Sequence, residues 1–425
     1  MKYCIVILDG ASGWPIEELD GRTTLAAART PNLDALAATG ACGLAVTVPP
    51  GAEPSSSAAC TSILGYDPVA DFVGRGAIEA ASMGISLAPD EVALRMNLVN
   101  ITGGLMSSYS CGHISTTESR AIVTDLADAL SDETFRFHPG VSYRHILVVK
   151  GHPELLDTEY TPPHDISGTP VEGHLPSGPG SEVLVHLMSS ARRVLERSAP
   201  NMSRREADEV AATDIWPFWP GRAPQDLMPF RQRRGISAAM TSGVDLLNGL
   251  AVLTGIDRLD IPGVTDGPDN DYAAQAEQAL RALGHYDLVV IHVETPDEAG
   301  HAGDIAAKIA GIEAIDREVV SRARDYGDGL RVLCMPDHPT PIAMKTHVGE
   351  PVPFVAEGWG HFTKRKLAKE EESRISSFGI VDLAGIPQPI FYSVCWFLTN
   401  FPHGCDLRLN LVVPTRACFF LDSAG

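Results

Sequence analysis

The sequence predicts an α/β fold, in which helices cover a mostly parallel sheet. Short runs rich in β-branched residues recur along the chain, and each ends at a loop or a carboxylate. The runs are residues 3–8 before Asp9, 144–149, 287–293 before Glu294 and 330–335 before Asp337. Helical patterns separate these runs, as from Asp304 to about Tyr326, where isoleucine and valine recur at helical spacing. Alternating strands and helices favour a parallel sheet, because a helix carries the chain back before each new parallel strand.

Two segments depart from this regular pattern. Residues 151–235 are rich in proline, glycine, serine and charge, which is typical of long loops and short helices. From about Arg374 the charged helical pattern stops, and an apolar stretch rich in cysteine, phenylalanine and proline follows. Nothing in the sequence explains why such a segment should close an α/β domain. A frameshifted or chimeric end is our hypothesis for residues 374–425.

Composition restricts the class of protein. With 44% hydrophobic and 20% charged residues over 425 positions, the chain has the balance of a large globular protein. Its formal net charge of −21 repels nucleic-acid phosphates and anionic lipid, so we expect neither nucleic acid nor a membrane as a partner. The eight cysteines form no C-x-x-C pair, which favours reduced thiols over a disulfide framework. The first apolar run is too short for a signal peptide, and we expect a cytoplasmic protein.

Residue types that bind metals follow three of the predicted strands. They are Asp9 after the first run, Asp297 and His301 after the third, and Asp337, His338 and His347 after the last. Each of them alone is more often a turn residue, a helix cap or an ordinary histidine. Because ligands of open α/β sheets bind at the carboxyl ends of the strands, the six together predict a site for two divalent ions. The mixture of oxygen and nitrogen ligands suits manganese or zinc better than calcium.

A run of three serines precedes an apolar helical pattern at 60–64. A serine at a helix N-terminus lies beside free backbone N–H groups and the positive end of the helix dipole. A metal bound to its oxygen would lower the pKa of the hydroxyl and make it a nucleophile. One of Ser55, Ser56 and Ser57 is also expected to be an ordinary N-cap, and the local pattern leaves open which serine has which role.

Taken together, these motifs resemble those of the archaeal-type, 2,3-bisphosphoglycerate-independent phosphoglycerate mutases of the alkaline phosphatase superfamily. The N-terminal matches are Leu8-Asp9-Gly10, Thr30-Pro31-Asn32-Leu33-Asp34, Leu64-Gly65-Tyr66-Asp67-Pro68 and Gly74-Arg75-Gly76. The later matches are Pro296-Asp297-Glu298-Ala299-Gly300-His301, Pro336-Asp337-His338, Thr346-His347 and Pro351-Val352-Pro353-Phe354. They extend over residues 1 to about 360, and the metal-binding motifs are highly specific as a set.

The resemblance implies an alkaline-phosphatase-like α/β fold and a two-metal site. Counted back from the Gly65-Tyr66-Asp67-Pro68 motif, the family nucleophile falls on Ser56. One metal would be held by Asp297, His301 and His347, and the other by Asp9, Ser56, Asp337 and His338. Manganese is the first expectation, with zinc, cobalt or magnesium as alternatives. The family needs no 2,3-bisphosphoglycerate cofactor.

The resemblance also implies a domain organisation and a reaction. Residues 1–104 and 178–373 would form the metal-binding core, and a small α+β domain at 105–177 would cover the substrate. Ser56 would accept the phosphoryl group of 3-phosphoglycerate and return it to the 2-hydroxyl of the same molecule. The expected partner is therefore a small phosphorylated substrate, and the oligomeric state stays open.

One departure from the family leaves two reactions open. The family mutases carry an Asp-Arg-Arg-Ala-Gly-Arg-like run in the inserted domain, whereas residues 109–115 contain no arginine. This stretch, with 81–85 and 161–165, is more similar to a bacterial branch proposed to act as homoserine kinases. The loss of guanidinium groups removes the bidentate contacts that a phosphoglycerate carboxylate would need.

Phosphoglycerate mutase is the first interpretation, and phosphate transfer to a small amino-acid alcohol such as homoserine is the second. The candidate substrate contacts for either reaction are Arg75, His113, Arg144 and His164. Each of these four is nearly as often an ordinary surface or salt-bridged residue. A metal-binding protein without catalytic activity is the alternative from another class, although the intact serine and ligand set argue against it.

Overall fold

The computed structural model describes residues 1–358 except 72, 226 and 328, and the backbone of two strands at 390–393 and 410–413. The chain folds into two compact units. The first unit is Met1–Phe72 with Leu227–Gly425, and the second is Val73–Asp226. Apart from the two strands, the segment 374–425 that was expected to be anomalous lies outside the described residues.

The helices and strands follow one another in the order that the α/β prediction requires. The N-terminal part contains β1 (Lys2–Leu8), a 3-10 turn (Glu17–Leu19), α1 (Thr24–Ala27), α2 (Pro31–Thr39), β2 (Ala41–Ala45) and α3 (Ser56–Ile63). The second unit contains α4 (Arg75–Ser82), β3 (Glu91–Thr102), β4 (Leu105–Ser108), α5 (Thr116–Leu130), β5 (Phe135–Val141), β6 (Arg144–Lys150), a 3-10 turn (Pro153–Leu156), α6 (Ser181–Leu195), α7 (Ala199–Glu206) and β7 (Asp214–Arg222). The first unit then continues with α8 (Phe230–Arg234), β8 (Ala238–Thr241), α9 (Asp245–Thr254), β9 (Asp257–Arg258), α10 (Tyr272–Ala282), β10 (Leu288–Val293), α11 (Thr295–Ala302), α12 (Ile305–Ile315), a π-helical turn (Asp316–Val320), α13 (Ser321–Arg324), β11 (Leu330–Met335), β12 (Val352–Glu357), β13 (Ile390–Ser393) and β14 (Asn410–Val413).

The first unit is built on a nine-stranded sheet with β1 near its centre. The strand order is β13-β14-β2-β12-β11-β1-β10-β8-β9. The five strands from β11 to β9 run parallel, and the other four join on one side in antiparallel pairs. β10 is buried along its whole length, and β1 is buried after Lys2, which explains their continuous apolar sequences. The predicted α/β fold with a parallel sheet is therefore confirmed.

Both faces of this sheet are buried at β1. Cys4, Val6 and Leu8 of β1 pack into a core with residues of α2, α10 and α12. The alternate residues Ile5 and Ile7 are also buried, on the opposite face of the same strand. Among the described helices, none is long and apolar enough to cross a membrane.

The second unit is an antiparallel α+β structure with its own core. Its sheet has the order β4-β3-β6-β5, and β7 pairs with β3 on the other side. α5 and α6 pack against this sheet and contribute Leu126, Leu184 and Leu187 to the core. The unit contains the whole of the expected insertion at 105–177 and extends beyond it at both ends, because β3 and β7 pair with each other.

A β-bulge interrupts the pairing of β3 and β7. Arg95 pairs with Phe218 and Leu94 pairs with Pro220, so that Trp219 between them has no partner residue on β3. Trp219 has a φ of +48°, in the left-handed region. This conformation costs an L-residue about 1 kcal/mol or more, and a bulky residue that adopts it commonly has a functional reason.

Candidate metal centre and nucleophile

The structure brings the seven predicted metal-centre residues together in the first unit. Asp9 directly follows β1, Asp297 and His301 lie in α11 after β10, Asp337 and His338 follow β11, His347 precedes β12, and Ser56 begins α3. The loops after three neighbouring parallel strands meet at one edge of the sheet, which is why residues up to 338 positions apart can share a site.

The first cluster consists of Asp297, His301 and His347. The Nε2 atom of His301 lies 3.0 Å from Asp297 Oδ2 and 2.9 Å from the Nε2 of His347. Each Nδ1 faces a backbone carbonyl, that of Lys345 for His301 and that of Pro54 for His347, at 3.0 and 3.3 Å. A carbonyl only accepts, so each Nδ1 carries a proton, and the two Nε2 atoms face each other and Asp297. Three donor atoms this close suit a shared cation, since ligand nitrogens about 2 Å from a tetrahedral ion are roughly 3.3 Å apart.

Protonation equilibria in this cluster point to the same conclusion. The hydrogen bond to Asp297 raises the pKa of His301 to about 9. Burial alone would raise the pKa of Asp297, but hydrogen bonds from His301 and His347 outweigh it and hold this pKa well below its usual value. The cluster therefore stabilises positive charge at the point where its donor atoms meet.

The second cluster surrounds His338, whose Nε2 lies 3.1 Å from Ser56 Oγ, 3.2 Å from Asp337 Oδ2 and 3.6 Å from Asp9 Oδ1. Asp9, Asp337 and His338 are fully buried, and the Asp9 Oδ1 and Asp337 Oδ2 atoms have no hydrogen-bond partner. Burial raises the pKa of Asp9, and the charges of Asp337 and Asp297 raise it further. Buried carboxylate oxygens without partners are costly unless they bind a cation, so this donor set also fits a divalent ion.

The three serines have different surroundings at the start of α3. Ser55 is the N-cap, because its Oγ accepts a hydrogen bond from the amide of Ala58 at 3.3 Å. Ser57 Oγ lies 3.0 Å from Ser55 Oγ. Ser56 alone of the three contacts the metal-centre residues, through His338. The assignment of Ser56 as the nucleophile stays a prediction from the family motif.

Sequence reasoning missed two buried residues at the end of β10. His292 is completely buried, with Nε2 2.7 Å from Asp9 Oδ2 and Nδ1 2.9 Å from Ser242 Oγ. Glu294 has a buried Oε2 without a hydrogen-bond partner, and burial followed by the charge of Asp9 raises its pKa well above the usual value. The available signal was a histidine inside an otherwise apolar strand, next to a motif that was already assigned to metal binding.

Lys308 is a third residue that the sequence reasoning overlooked. It is completely buried in α12, and its Nζ donates to the backbone carbonyls of Ser12 at 3.2 Å and Thr340 at 2.6 Å. Burial lowers the pKa of Lys308 to about 8. The ammonium group thus joins the loop after β1 to the loop after β11. The signal was a single lysine between Ile305 and Ile309, at the centre of an apolar helical pattern.

The four candidate substrate contacts all lie in the second unit. Arg75 stacks on the ring of Trp219, with Cζ 3.7 Å from the ring centroid. His164 approaches the same ring, with 5.6 Å between the centroids. The structure therefore brings Arg75 and His164 together, around a tryptophan that sequence reasoning had not singled out.

The other two candidates lie near a second aromatic residue. The ring of His113 is 6.1 Å from that of Tyr143, the residue before Arg144. Arg144 is exposed at the start of β6. Tyr109 connects the two pairs, because its ring lies 5.7 Å from Tyr143 and 6.2 Å from His164.

Comparisons with known proteins agree with these features. Residues 37–201 match the family model for 2,3-bisphosphoglycerate-independent phosphoglycerate mutase. The enzyme of that name from Methanosarcina acetivorans is 44% identical over 358 residues, which are 83% of this chain and 90% of the relative. The Methanosarcina mazei enzyme is 43% identical over 395 residues, 91% of this chain and 99% of the relative. A probable mutase from Geobacter sulfurreducens is 42% identical over 90% of this chain and 96% of its own length.

Solved structures support the same relationship. A Pyrococcus horikoshii protein superposes with a TM-score of 0.71 and 28% identity, over 84% of this chain and 87% of its own. The cofactor-independent phosphoglycerate mutase of Thermoplasma acidophilum has a TM-score of 0.59 and 27% identity, over 85% and 91% of the two chains. With a shared fold and relatives above 40% identity over most of its length, the chain belongs to the 2,3-bisphosphoglycerate-independent phosphoglycerate mutase family.

Proposed function

We propose that this protein is a metal-dependent phosphoryl-transfer enzyme that interconverts 3- and 2-phosphoglycerate through a phosphoserine at Ser56. The observation that carries the proposal is the position of Ser56 Oγ, 3.1 Å from His338 Nε2. The same Nε2 atom lies 3.2 Å from Asp337 Oδ2 and 3.6 Å from Asp9 Oδ1, two buried oxygens that have no hydrogen-bond partner. The names of the relatives that are 41–44% identical support the choice of substrate.

Two divalent ions would be held by the two clusters, one by Asp297, His301 and His347, and the other by Asp9, Ser56, Asp337 and His338. Bound there, the ions would lower the pKa of the serine hydroxyl and neutralise the charge of the transferring phosphoryl group. We propose manganese as the ion, because the mixed oxygen and nitrogen donors suit it.

The residues of the chain account for the two transfer steps. Ser56 Oγ forms a bond to the phosphorus of 3-phosphoglycerate while the phosphate ester bond of the substrate breaks, which leaves glycerate and phosphoserine. The 2-hydroxyl of the same glycerate then attacks the phosphoserine and regenerates Ser56. Each step moves one proton from the attacking to the leaving oxygen, so the cycle has no net proton change. The N-terminus of α3 places the positive end of a helix dipole beside the transferred group.

A second candidate rests on residues 109–115, which lack the arginines of the family mutases. Under this alternative the acceptor is a small amino-acid alcohol such as homoserine, and the phosphoryl donor is a separate molecule. Arg75, His113, Arg144 and His164 are proposed substrate contacts under either reaction. A metal-binding protein without activity is the third alternative, and it would bind manganese without forming phosphoserine.

The test is an assay of the manganese-loaded protein with 3-phosphoglycerate, in which 2-phosphoglycerate is detected by a coupled enzyme. Ser56→Ala is expected to abolish turnover. Ser55→Ala removes only the N-cap hydrogen bond of α3, at a cost of about 1 kcal/mol in stability, and this variant is expected to remain active. Mass spectrometry should find phosphate on Ser56. Phosphorylation of homoserine from ATP without mutase activity would select the second candidate, and manganese binding without either activity would select the third.

A further inference from the structure

The guanidinium group of Arg75 is held in one orientation by contacts on a face and an edge. Its face rests on the indole of Trp219, and its Nε donates to Glu79 Oε1 at 2.9 Å. Glu79 is itself buried and also accepts from Arg95 Nη1 at 2.6 Å, and the Nε of Arg95 donates to Asn97 Oδ1 at 3.2 Å. A stacked and hydrogen-bonded guanidinium loses little further entropy when it binds a ligand.

The remaining edge of this guanidinium is free. The Nη1 and Nη2 atoms of Arg75 donate to no other described residue, and the side chain is 39% exposed. Two parallel N–H donors on one edge match the two oxygens of a carboxylate.

The group formed by Arg75, Glu79 and Arg95 is positive, in contrast to the acidity of the whole chain. Glu79 can neutralise only one of its two arginine partners, so the Arg75–Glu79–Arg95 group keeps a net positive charge. His164 lies beside the same indole. Its imidazole can donate a hydrogen bond to a small polar ligand or accept one. A site with a net positive charge beside aromatic side chains is suited to a small anion.

The strained backbone at Trp219 accounts for the position of its indole against the guanidinium group of Arg75. The bulge gives Trp219 a φ of +48°, which glycine would adopt without strain, yet the position carries the largest side chain. We infer that Trp219 is a positioning residue, which fixes Arg75 so that its free edge binds the carboxylate of a small hydroxy or amino acid. This inference rests on the proposed function only for the choice of substrate.

The test replaces Trp219 with glycine, phenylalanine and tyrosine. Glycine tolerates the positive φ at position 219, so the Trp219→Gly variant should fold, but it lacks the indole on which Arg75 stacks. We expect KM for 3-phosphoglycerate to rise about tenfold or more, with kcat within about threefold of the wild type, because the lost contact is equal in the ground and transition states. Phenylalanine or tyrosine should restore most of the affinity. A purely structural role would lower stability or kcat and leave KM unchanged, and that result would overturn the inference.

Arg75→Met and Arg75→Lys test the ligand edge itself. Both leave Glu79 paired with Arg95, so neither creates a buried unpaired carboxylate. Each should raise KM as Trp219→Gly does, and the double variant should be no worse than Arg75→Met alone, because the two residues act through one contact. Arg193→Met, which removes an exposed arginine of α6 in the same unit, is the matched control and should have no effect.

Direct binding separates this inference from the proposed reaction. Calorimetry with D-glycerate, L-homoserine and inorganic phosphate as probes does not need turnover. If the wild type binds D-glycerate or L-homoserine and Arg75→Met abolishes this binding, the site is supported even if no mutase activity is found. Binding of inorganic phosphate alone, or carboxylate binding that survives Arg75→Met, would overturn it.

Discussion

At the scale of single residues, the candidate metal centre is organised by neighbours that orient each proposed ligand. Backbone carbonyls bind the Nδ1 atoms of His301 and His347, so that both rings present Nε2 to Asp297. Thr340 Oγ1 donates to Asp297 Oδ1 and lies 3.3 Å from the Nδ1 of His338. Such outer contacts determine the ring tautomer and the direction of each donor atom before a metal binds.

His292 is the neighbour with the clearest expected effect, because it lies 2.7 Å from Asp9 and is not itself among the proposed ligands. His292→Leu should weaken manganese binding roughly 10- to 100-fold, since the Asp9 carboxylate loses the imidazole that orients its Oδ2 atom. His292→Gln can still donate to Asp9 and should retain more of the affinity. Calorimetric titration with manganese measures both, and wild-type affinity in the leucine variant would contradict the expected role.

His145 supplies a pH dependence that is independent of the metals. It is buried in β6, where Nδ1 accepts from the Gly140 amide at 3.0 Å, and burial with the nearby charges of Arg95 and Arg120 lowers its pKa to about 3. The unfolded chain therefore binds this proton first, near pH 6.5, and stability falls as the pH decreases from there towards 3. At pH 4 the loss has an upper limit of roughly 3 kcal/mol.

The variant His145→Asn keeps an acceptor for Gly140 but does not titrate. Its free energy of unfolding, measured in denaturant between pH 4 and 7, should depend less steeply on pH than that of the wild type. Parallel pH profiles for the two proteins would show that His145 does not contribute to acid sensitivity.

At the scale of the elements, the site depends on close approach between the loop after β1 and the start of α11. Gly10 donates its amide to Asp337 Oδ1 at 3.1 Å and has a φ of +59°. A Cβ at this position would lie 2.4 Å from Asp297 Oδ1 and 2.8 Å from the Asp297 Cα atom. Only glycine lets the two segments come this close, which is why the Leu8-Asp9-Gly10 motif includes it.

Gly10→Ala should consequently lower stability by about 3 kcal/mol and abolish tight manganese binding, because Asp297 must move. Gly21→Ala is the matched control, since Gly21 also has a positive φ, of +76°, but its Cβ would meet nothing within 4 Å. The control should lose only about 1 kcal/mol and bind manganese normally. Denaturant unfolding and manganese titration of both variants separate the effect of the steric clash from that of the backbone strain.

At the scale of the whole molecule, each of the two units has its own buried charged groups and its own hydrophobic core. Among the described residues, the first unit holds five buried acidic side chains, those of Asp9, Glu294, Asp297, Asp316 and Asp337, while the second holds the arginine group around Glu79. Each unit has a hydrophobic core of its own. Metal binding should therefore act on the stability of one unit and leave that of the other unchanged.

Scanning calorimetry tests this division. Manganese at 100 times its dissociation constant should stabilise the first unit by about 2.7 kcal/mol and raise its midpoint by several degrees, and a chelator should reverse the change. The transition of the second unit should not move. Asp297→Asn should reduce the shift, and a manganese-dependent shift in both transitions would mean that the two units unfold together.

The sequence alone determined the fold class and the family, and it predicted the members of the metal centre, because strand-forming runs and short ligand motifs are local signals. Asp9, Asp297 and Asp337 could be predicted as a group, since parallel strands place their carboxyl ends together. Their roles, together with the boundaries at 105 and 177, remain predictions, and most of the segment 374–425 lies outside the described residues.

Only the tertiary structure decided what depends on contacts between distant segments. Local pattern could not separate Ser55 from Ser56, but the three-dimensional arrangement makes one a cap and turns the other towards His338. It also placed His292 against Asp9 and the indole of Trp219 under Arg75. Partners hundreds of residues apart in the chain, or a side chain displaced by a bulge, leave no periodic signal in a sequence, because their geometry arises only when the sheet has formed.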